Sequence, residues 1–417
     1  MEKNIKTKSV QSDAKPGRSA LGFIFSVVLL DVIGFAILMP VQAYIVRQYS
    51  DEALMVAMIP VLYAGAQFFA APLLGKLSDR YGRRPVLLVS ILGSALGYFL
   101  FGVGGALWVL FLSRLIDGFT AGNASTASAY IADVTPPQDR ARNFGFIGMA
   151  YGLGFILGPT LGGLLSEISL NAPAYAAGIL SLLSAVVGYF ILPESLPRER
   201  REKSPLRLSD LNPFASVLEL LRRPTVGGLL LAQCLFFFVF NGNNTMLPVF
   251  LIDRFAVQAW QIALIFAVGG ITMAVMQGGL VGPLVKRFGE KPLAVNSLVL
   301  QALSAIGMVS LPVFWMQYPM AVINSLGTGL IWPTFGALLA NSVSYEEQGK
   351  VSGVGTALGS LMSVFGPLWA GAAYDRIAPS APFWIGAVIF VLAGLILTRV
   401  QVRTHANSHV DAHAMAD

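Results

Sequence analysis

The chain has 417 residues, 55% of them hydrophobic and only 12% charged, with a mean hydropathy of +0.68. Soluble domains carry roughly twice that share of charge, so a water-soluble enzyme or binding module is disfavoured from the outset. The net charge of +6 and pI near 9.4 invite a nucleic-acid partner, but the placement of the charges argues against one.

Apolar runs of about 20 residues, long enough to cross roughly 30 Å of hydrocarbon as helices, recur along the whole chain. Six lie at residues 20–46, 53–75, 85–105, 107–131, 142–165 and 172–192, and six more at 225–251, 259–285, 292–313, 317–340, 350–374 and 381–399. The short junction between the third and fourth leaves this count open by one. The first run carries Asp31 and is too long for a cleavable leader, so it is read as a span.

With the loops placed alternately on two sides, every Lys and Arg falls on one side except Arg47, Arg254 and Arg376 opposite and Arg114 inside a span. That bias predicts both termini in the cytoplasm of a multi-pass protein of the cell membrane. The basic charge then sets topology, and no nucleic acid is implied. The single Cys234 excludes an internal disulfide framework.

An offset of about 207 residues superimposes Gly75-Lys-Leu-Ser-Asp-Arg-Tyr-Gly-Arg-Arg-Pro85 on Gly282-Pro-Leu-Val-Lys-Arg-Phe-Gly-Glu-Lys-Pro292. Shifted by one, Gly34 and Pro40 meet Gly242 and Pro248, and Gly158-Pro159 with Gly163 meets Gly366-Pro367 with Gly371. The chain therefore divides into a tail (1–19), a first bundle (20–193), a basic linker (194–223), a second bundle (224–400) and a C-terminal tail (401–417). Repeats of this kind build a central site near the midplane, between bundles that rock against each other.

Leu30-Asp-Val-Ile-Gly-Phe-Ala-Ile-Leu-Met-Pro40, the 75–85 loop, Glu347-Gln-Gly-Lys-Val-Ser-Gly353 and Val364-Phe-Gly-Pro-Leu368 together resemble the major facilitator superfamily. The resemblance is to its twelve-helix drug:proton antiporters, and among these most to the tetracycline efflux proteins. It implies an all-α membrane fold of twelve transmembrane helices in two pseudo-symmetric six-helix bundles. The implied partners are a small-molecule substrate, protons and the lipid bilayer. A monomer is expected, since one chain encloses the pathway, and no cofactor is.

The loop Gly75, Asp79, Arg80, Gly82, Arg83, Arg84 matches the superfamily's signature between helices 2 and 3. Gly75 is expected to permit close helix contact and Gly82 a tight turn, while Asp79 lies four residues from Arg83. By resemblance Asp79, Arg83 and Asp133 form a charge relay, and Asp79 faces the N-terminus of helix 11, latching the outward-facing state. The second copy has Lys286 in place of Asp79, so the latch is one-sided.

Within the spans only Asp31, Arg114 and Asp117 are ionisable, and intramembrane charge is costly enough that each is a candidate for function. Arg114-Leu-Ile-Asp-Gly118 resembles a motif linked to proton transfer. Arg114 stays charged and so cannot carry the proton itself. A desolvated Asp31 is the expected exchanger of a proton for a substrate cation. The alternative is a buried Arg114/Asp117 pair that simply neutralises itself.

Gly154, Gly158, Pro159, Gly162 and Gly163 form a small-residue face interrupted by a proline. By resemblance this is the antiporter motif of exporters. Phe35, Tyr63, Gln67, Asn123, Gln233, Phe240, Asn241, Asn244, Gln277 and Trp332 are the candidate cavity residues, polar groups and aromatics inside spans. Gly97 stands where tetracycline exporters carry an aspartate, and residues 292–313 lack their second acid, so the resemblance leaves open whether tetracycline is a substrate.

His405, His409 and His413 read as part of a polar tail rather than a metal clip, and no metal is expected. No P-loop pattern supports ATP-driven transport, and no hydrolase constellation is present. Proton-driven export of small amphipathic compounds is therefore the leading expectation. The alternatives are a facilitator or symporter for a metabolite or lipid, and a receptor or scaffold that moves nothing.

Overall fold

The computed structural model describes residues 18–136, 139–202 and 214–401. The lysines of the N-terminal tail, the middle of the linker and the three histidines lie outside them. The helices are α1 (Arg18–Ile37), α2 (Gln42–Arg47), α3 (Ala53–Tyr81), α4 (Arg83–Val103), α5 (Leu107–Thr120), α6 (Asn123–Val134), α7 (Arg140–Ser166) and α8 (Ala172–Ile191). After the linker helix α9 (Phe214–Leu221) come α10 (Pro224–Phe255), α11 (Ala259–Val275), α12 (Val281–Phe288), α13 (Glu290–Ser310), α14 (Gln317–Asn341), α15 (Gln348–Arg376) and α16 (Ala381–Arg399).

Ten helices are long and apolar enough to cross a membrane, with α11 and α12 counted as one. The short apolar helix α1 and the pair α5/α6 lie where the first and fourth spans are expected. Gly104 and Gly105, at φ +62° and +87°, make the tight turn that separates the third span from the fourth.

Three spans depart from the expected continuous helices. The first stops at Ile37, because Pro40 has no N–H to continue it, and the chain turns before restarting as α2. The fourth breaks at Ala121–Gly122. The eighth contains a π turn at Met276–Leu280, just before Pro283, whose missing N–H leaves the Gly279 carbonyl without its helical donor.

In the first half α1 packs on α7 and α8, and α4 on α5 and α8; in the second α10 packs on α15 and α16, and α13 on α14 and α16. The halves meet through α3 against α15 and α7 against α11. One buried apolar cluster joins Ile37, Val46 and Ala57 to Phe236, Val249 and Ile262 of the other half. A second, around Phe23, Leu87 and Tyr130, stays within the first half near the basic loops. The halves are thus sealed together at the end opposite those loops.

Candidate transport site

The break in the fourth span organises the first half of the site. Ala121 (φ −74°, ψ 50°) forms an inverse γ-turn in which the Gly122 N–H donates to the Thr120 carbonyl at 2.7 Å. Gln67 donates to the Ala121 carbonyl at 3.4 Å. Asn123, the first residue of α6, is buried and donates through Nδ2 to Asp31 Oδ1 at 2.6 Å, while its own Oδ1 has no partner. Phe35 and Tyr63 stand together with ring centroids 5.5 Å apart. Tyr63 and Tyr151 both lie within electrostatic range of Asp31. Sequence reasoning missed Tyr151, though it sits one turn before Gly154 on the motif helix.

Arg114 and Asp117 lie at the interface of α5 with α4, with Asp117 in electrostatic range of Asp31 and with Tyr63 and Tyr98 in range of all three charges. Arg114 and Asp117 pair at 3.1 Å, with side chains 4% and 3% exposed. The guanidinium lies over the rings of Phe101 and Tyr98, at 4.7 and 5.2 Å, and Ser94 stands beside the Asp117 carboxylate. Gly97 makes this possible, since a Cβ there would lie 2.9 Å from the Asp117 Cβ. The structure therefore gives Arg114 to Asp117 and Asn123 to Asp31. Arg114 Nη2 is buried without a partner.

At the repeat offset of 207, Ser94, Gly97 and Asp117 correspond to Gln301, Ser304 and Asn324. These also meet across one interface, α13 against α14. Gln301 Nε2 donates to the Asn324 carbonyl at 2.9 Å and to Thr328 Oγ1 at 2.7 Å, and Ser304 donates to the Met320 carbonyl at 2.9 Å. The second half thus holds amides and hydroxyls at the positions of Ser94, Gly97 and Asp117, and Ala321 stands at the position of Arg114. A cavity of about 20 Å³ beside them, lined in part by Phe240, Asn243 and Asn244, has room for one water.

The remaining cavity candidates of the second half lie on α10, α14 and the π turn of the eighth span. Asn241 donates to its own helix at the Phe237 carbonyl, 2.8 Å, and faces Gly366, while Gln233 faces Gly355. Trp332 is 47% exposed and lies 4.9 Å from the Phe237 ring. Gln277 is exposed on the π turn.

Near the basic loops, Arg83 pairs with Asp79 at 2.6 Å and with Asp133 at 3.1 Å. Gly82 turns at φ +109°. Arg84 reaches the Tyr189 carbonyl and ring, and Arg80 is exposed beside Tyr81. Glu194 was not anticipated: it accepts from the Arg83 N–H at 2.8 Å and pairs with Arg201 at 3.5 Å, tying the start of the linker to the loop. The close contact expected at Gly75 is not made, because nothing lies within 4 Å of a Cβ built there. Gly145 and Gly148 on α7, Gly282 on α12, and Gly349 and Gly353 on α15 also face open space. The basic end is open, and Asp79 has Arg83 rather than the start of α15 as its partner.

The antiporter-motif glycines divide their work. Gly154, Gly158 and Gly162 let α7 lie against α1, where Cβ atoms would come within 2.6, 2.6 and 2.1 Å of Val32, Ala36 and the Ile37 carbonyl. Gly163 instead meets Ala263 and Trp260 of the other half, at the sealed end. Pro159 is buried between the two contacts.

The sequence matches the model of the Major Facilitator Superfamily over residues 24–314 and 278–415. It is 37% identical to the class C tetracycline resistance protein of Escherichia coli over 382 residues, 91% of this chain and 95% of that one. The crystal structure of the human organic anion transporter MFSD10 (TETRAN) matches with a TM-score of 0.69 at 26% identity, covering 92% of this chain and 99% of that one. The nucleoside transporter NupG shares the fold at 14% identity, with a TM-score of 0.75 over 92% of this chain and 99% of that one. This multi-span chain, with its sealed end, open basic end and signature loop, belongs to the Major Facilitator Superfamily.

Proposed function

We propose that the protein exports small amphipathic compounds of the drug or antibiotic class across the cytoplasmic membrane in exchange for protons. In this reading both termini and the basic loops are cytoplasmic, the protein works as a monomer, and the structure represents its inward-facing state. Export as a class is supported by the similarity to tetracycline resistance proteins over nine-tenths of the chain.

The observation that carries the coupling is the Asp31/Asn123 contact. Ionised, Asp31 accepts from the amide N–H; protonated, it finds the unpartnered amide oxygen of the same residue as acceptor for its new proton. One neighbour therefore suits both protonation states, as a group that repeatedly gains and loses a proton requires. Phe35, Tyr63 and Tyr151 give the carboxylate an aromatic border that fits an apolar cation. Arg114 and Asp117 hold α5 against α4 so that the helix break, and with it Asn123, stays in register with Asp31.

Inverted membrane vesicles test this directly. With an imposed pH gradient, a panel of cationic dyes, quinolones and tetracyclines should include at least one compound that accumulates and dissipates the gradient. If no member does either, drug:proton antiport is wrong for this chain.

A further inference from the structure

At the sealed end, two carboxylates of the second half hold the first. Asp375, next to last in α15, accepts from the backbone N–H groups of Ala53 and Leu54 at 2.9 and 2.8 Å, the first two residues of α3. Asp253, near the end of α10, pairs through both oxygens with Arg47, one contact at 2.7 Å, and accepts from the Tyr374 hydroxyl. Tyr44 adds a hydrogen bond to the Val257 carbonyl. Behind these contacts Gly371 lies against Leu54 and Ala57.

The physical logic is that of the expected Asp79 latch, with the helices exchanged. There a carboxylate near the C-terminus of α3 would face the N-terminus of α15; here a carboxylate near the C-terminus of α15 sits on the N-terminus of α3. In each case the carboxylate opposes its own helix dipole and gains by docking on the partner's free N–H groups. The ends of two helices thus provide a matched pair of clasps, one for each side.

We propose that Asp375 and Asp253 form the outer latch that holds the sealed end shut. This rests on assigning the basic end to the cytoplasm, but not on any particular substrate. The charge on each carboxylate strengthens Asp375's two hydrogen bonds and Asp253's pairing with Arg47. Asp253 faces Arg47 and Tyr374. Asp375 faces backbone N–H groups, with Tyr374 alongside and Glu52 just before them; Asp51 lies in electrostatic range of Arg47. Removing either carboxylate would therefore favour outward opening.

The test is a spin-label distance across the sealed end, between Ile168→Cys and Ile377→Cys in a Cys234→Ser background; both sites are highly exposed. At pH 7.5 the short distance should dominate. Asp375→Asn should cut the ratio of short to long populations about tenfold, the order expected for weakening charge-assisted hydrogen bonds. Asp375→Asn/Asp253→Asn should lower the same ratio further. Unchanged distances in Asp375→Asn and in the double variant would overturn the proposal. Arg47→Gln removes the partner of Asp253 from the other half and should lower the ratio too, so the proposal can still be tested if an aspartate variant misfolds.

Discussion

At the scale of single residues, the site is decided by which buried group each charge meets. Arg114 is bound to Asp117 on both sequence and contact grounds, so Arg114→Ala leaves a buried carboxylate uncompensated and should cost about 3–5 kcal/mol of stability. Arg114→Gln/Asp117→Asn should recover most of that loss in detergent unfolding, because it removes both buried charges together. All three intramembrane charges were legible as charges within apolar runs. Their partners were not: the three-residue spacing suggested Arg114/Asp117, but nothing in sequence linked Asp31 to Asn123, 92 positions away. Gly97 was legible as a missing acid. Only the structure shows that the acid of this interface stands on its opposite wall, as Asp117.

At the scale of elements, the glycine face of α7 gives a graded prediction. Gly162→Ala drives a methyl into the Ile37 carbonyl and should destabilise by about 1–3 kcal/mol in thermal melts in detergent. Gly152→Ala, with nothing within 4 Å, should change stability by no more than about 0.5 kcal/mol. The spacing of these glycines was readable in advance, and so were the turn at Gly82 and the location of most spans. The breaks were harder to see. No proline marks the break of the fourth span, where an alanine, Ala121, makes the γ-turn beside Gly122; the π turn of the eighth follows from Pro283 only once the helix is known to continue past it. The linker was readable as basic and long, but not as a tether. Its helix α9 carries Glu219, which binds Lys350 at 2.6 Å and Arg223 at 3.1 Å, and Arg223 binds Glu347 at 2.9 Å at the start of α15. These exposed carboxylates are held below their usual range by the cations beside them.

At the scale of the whole molecule, the two halves share a scaffold and differ in charge. Repeat-equivalent positions exchange Arg83 for Glu290 and Asp117 for Asn324, and Glu290 accepts from Asn341 at 3.0 Å where Arg83 pairs with Asp133. The first half therefore keeps the intramembrane charges, while the second keeps neutral hydrogen-bonding groups and two carboxylates at the sealed end. The repeat was visible in sequence because loops preserve Gly, Arg and Pro at fixed spacing. Which end was closed was not, since that depends on contacts between halves that no local pattern encodes.

The central claim is that Asp31 couples substrate movement to protons, and the most direct measurement is proton flux in proteoliposomes carrying a trapped pH dye and a substrate found in the vesicle panel. An imposed substrate gradient should drive proton movement in the parent. In Asp31→Asn that proton movement should vanish while exchange of labelled for unlabelled substrate persists. Proton movement at the parent rate in Asp31→Asn, or substrate flux in the parent with no proton movement at all, would contradict the account.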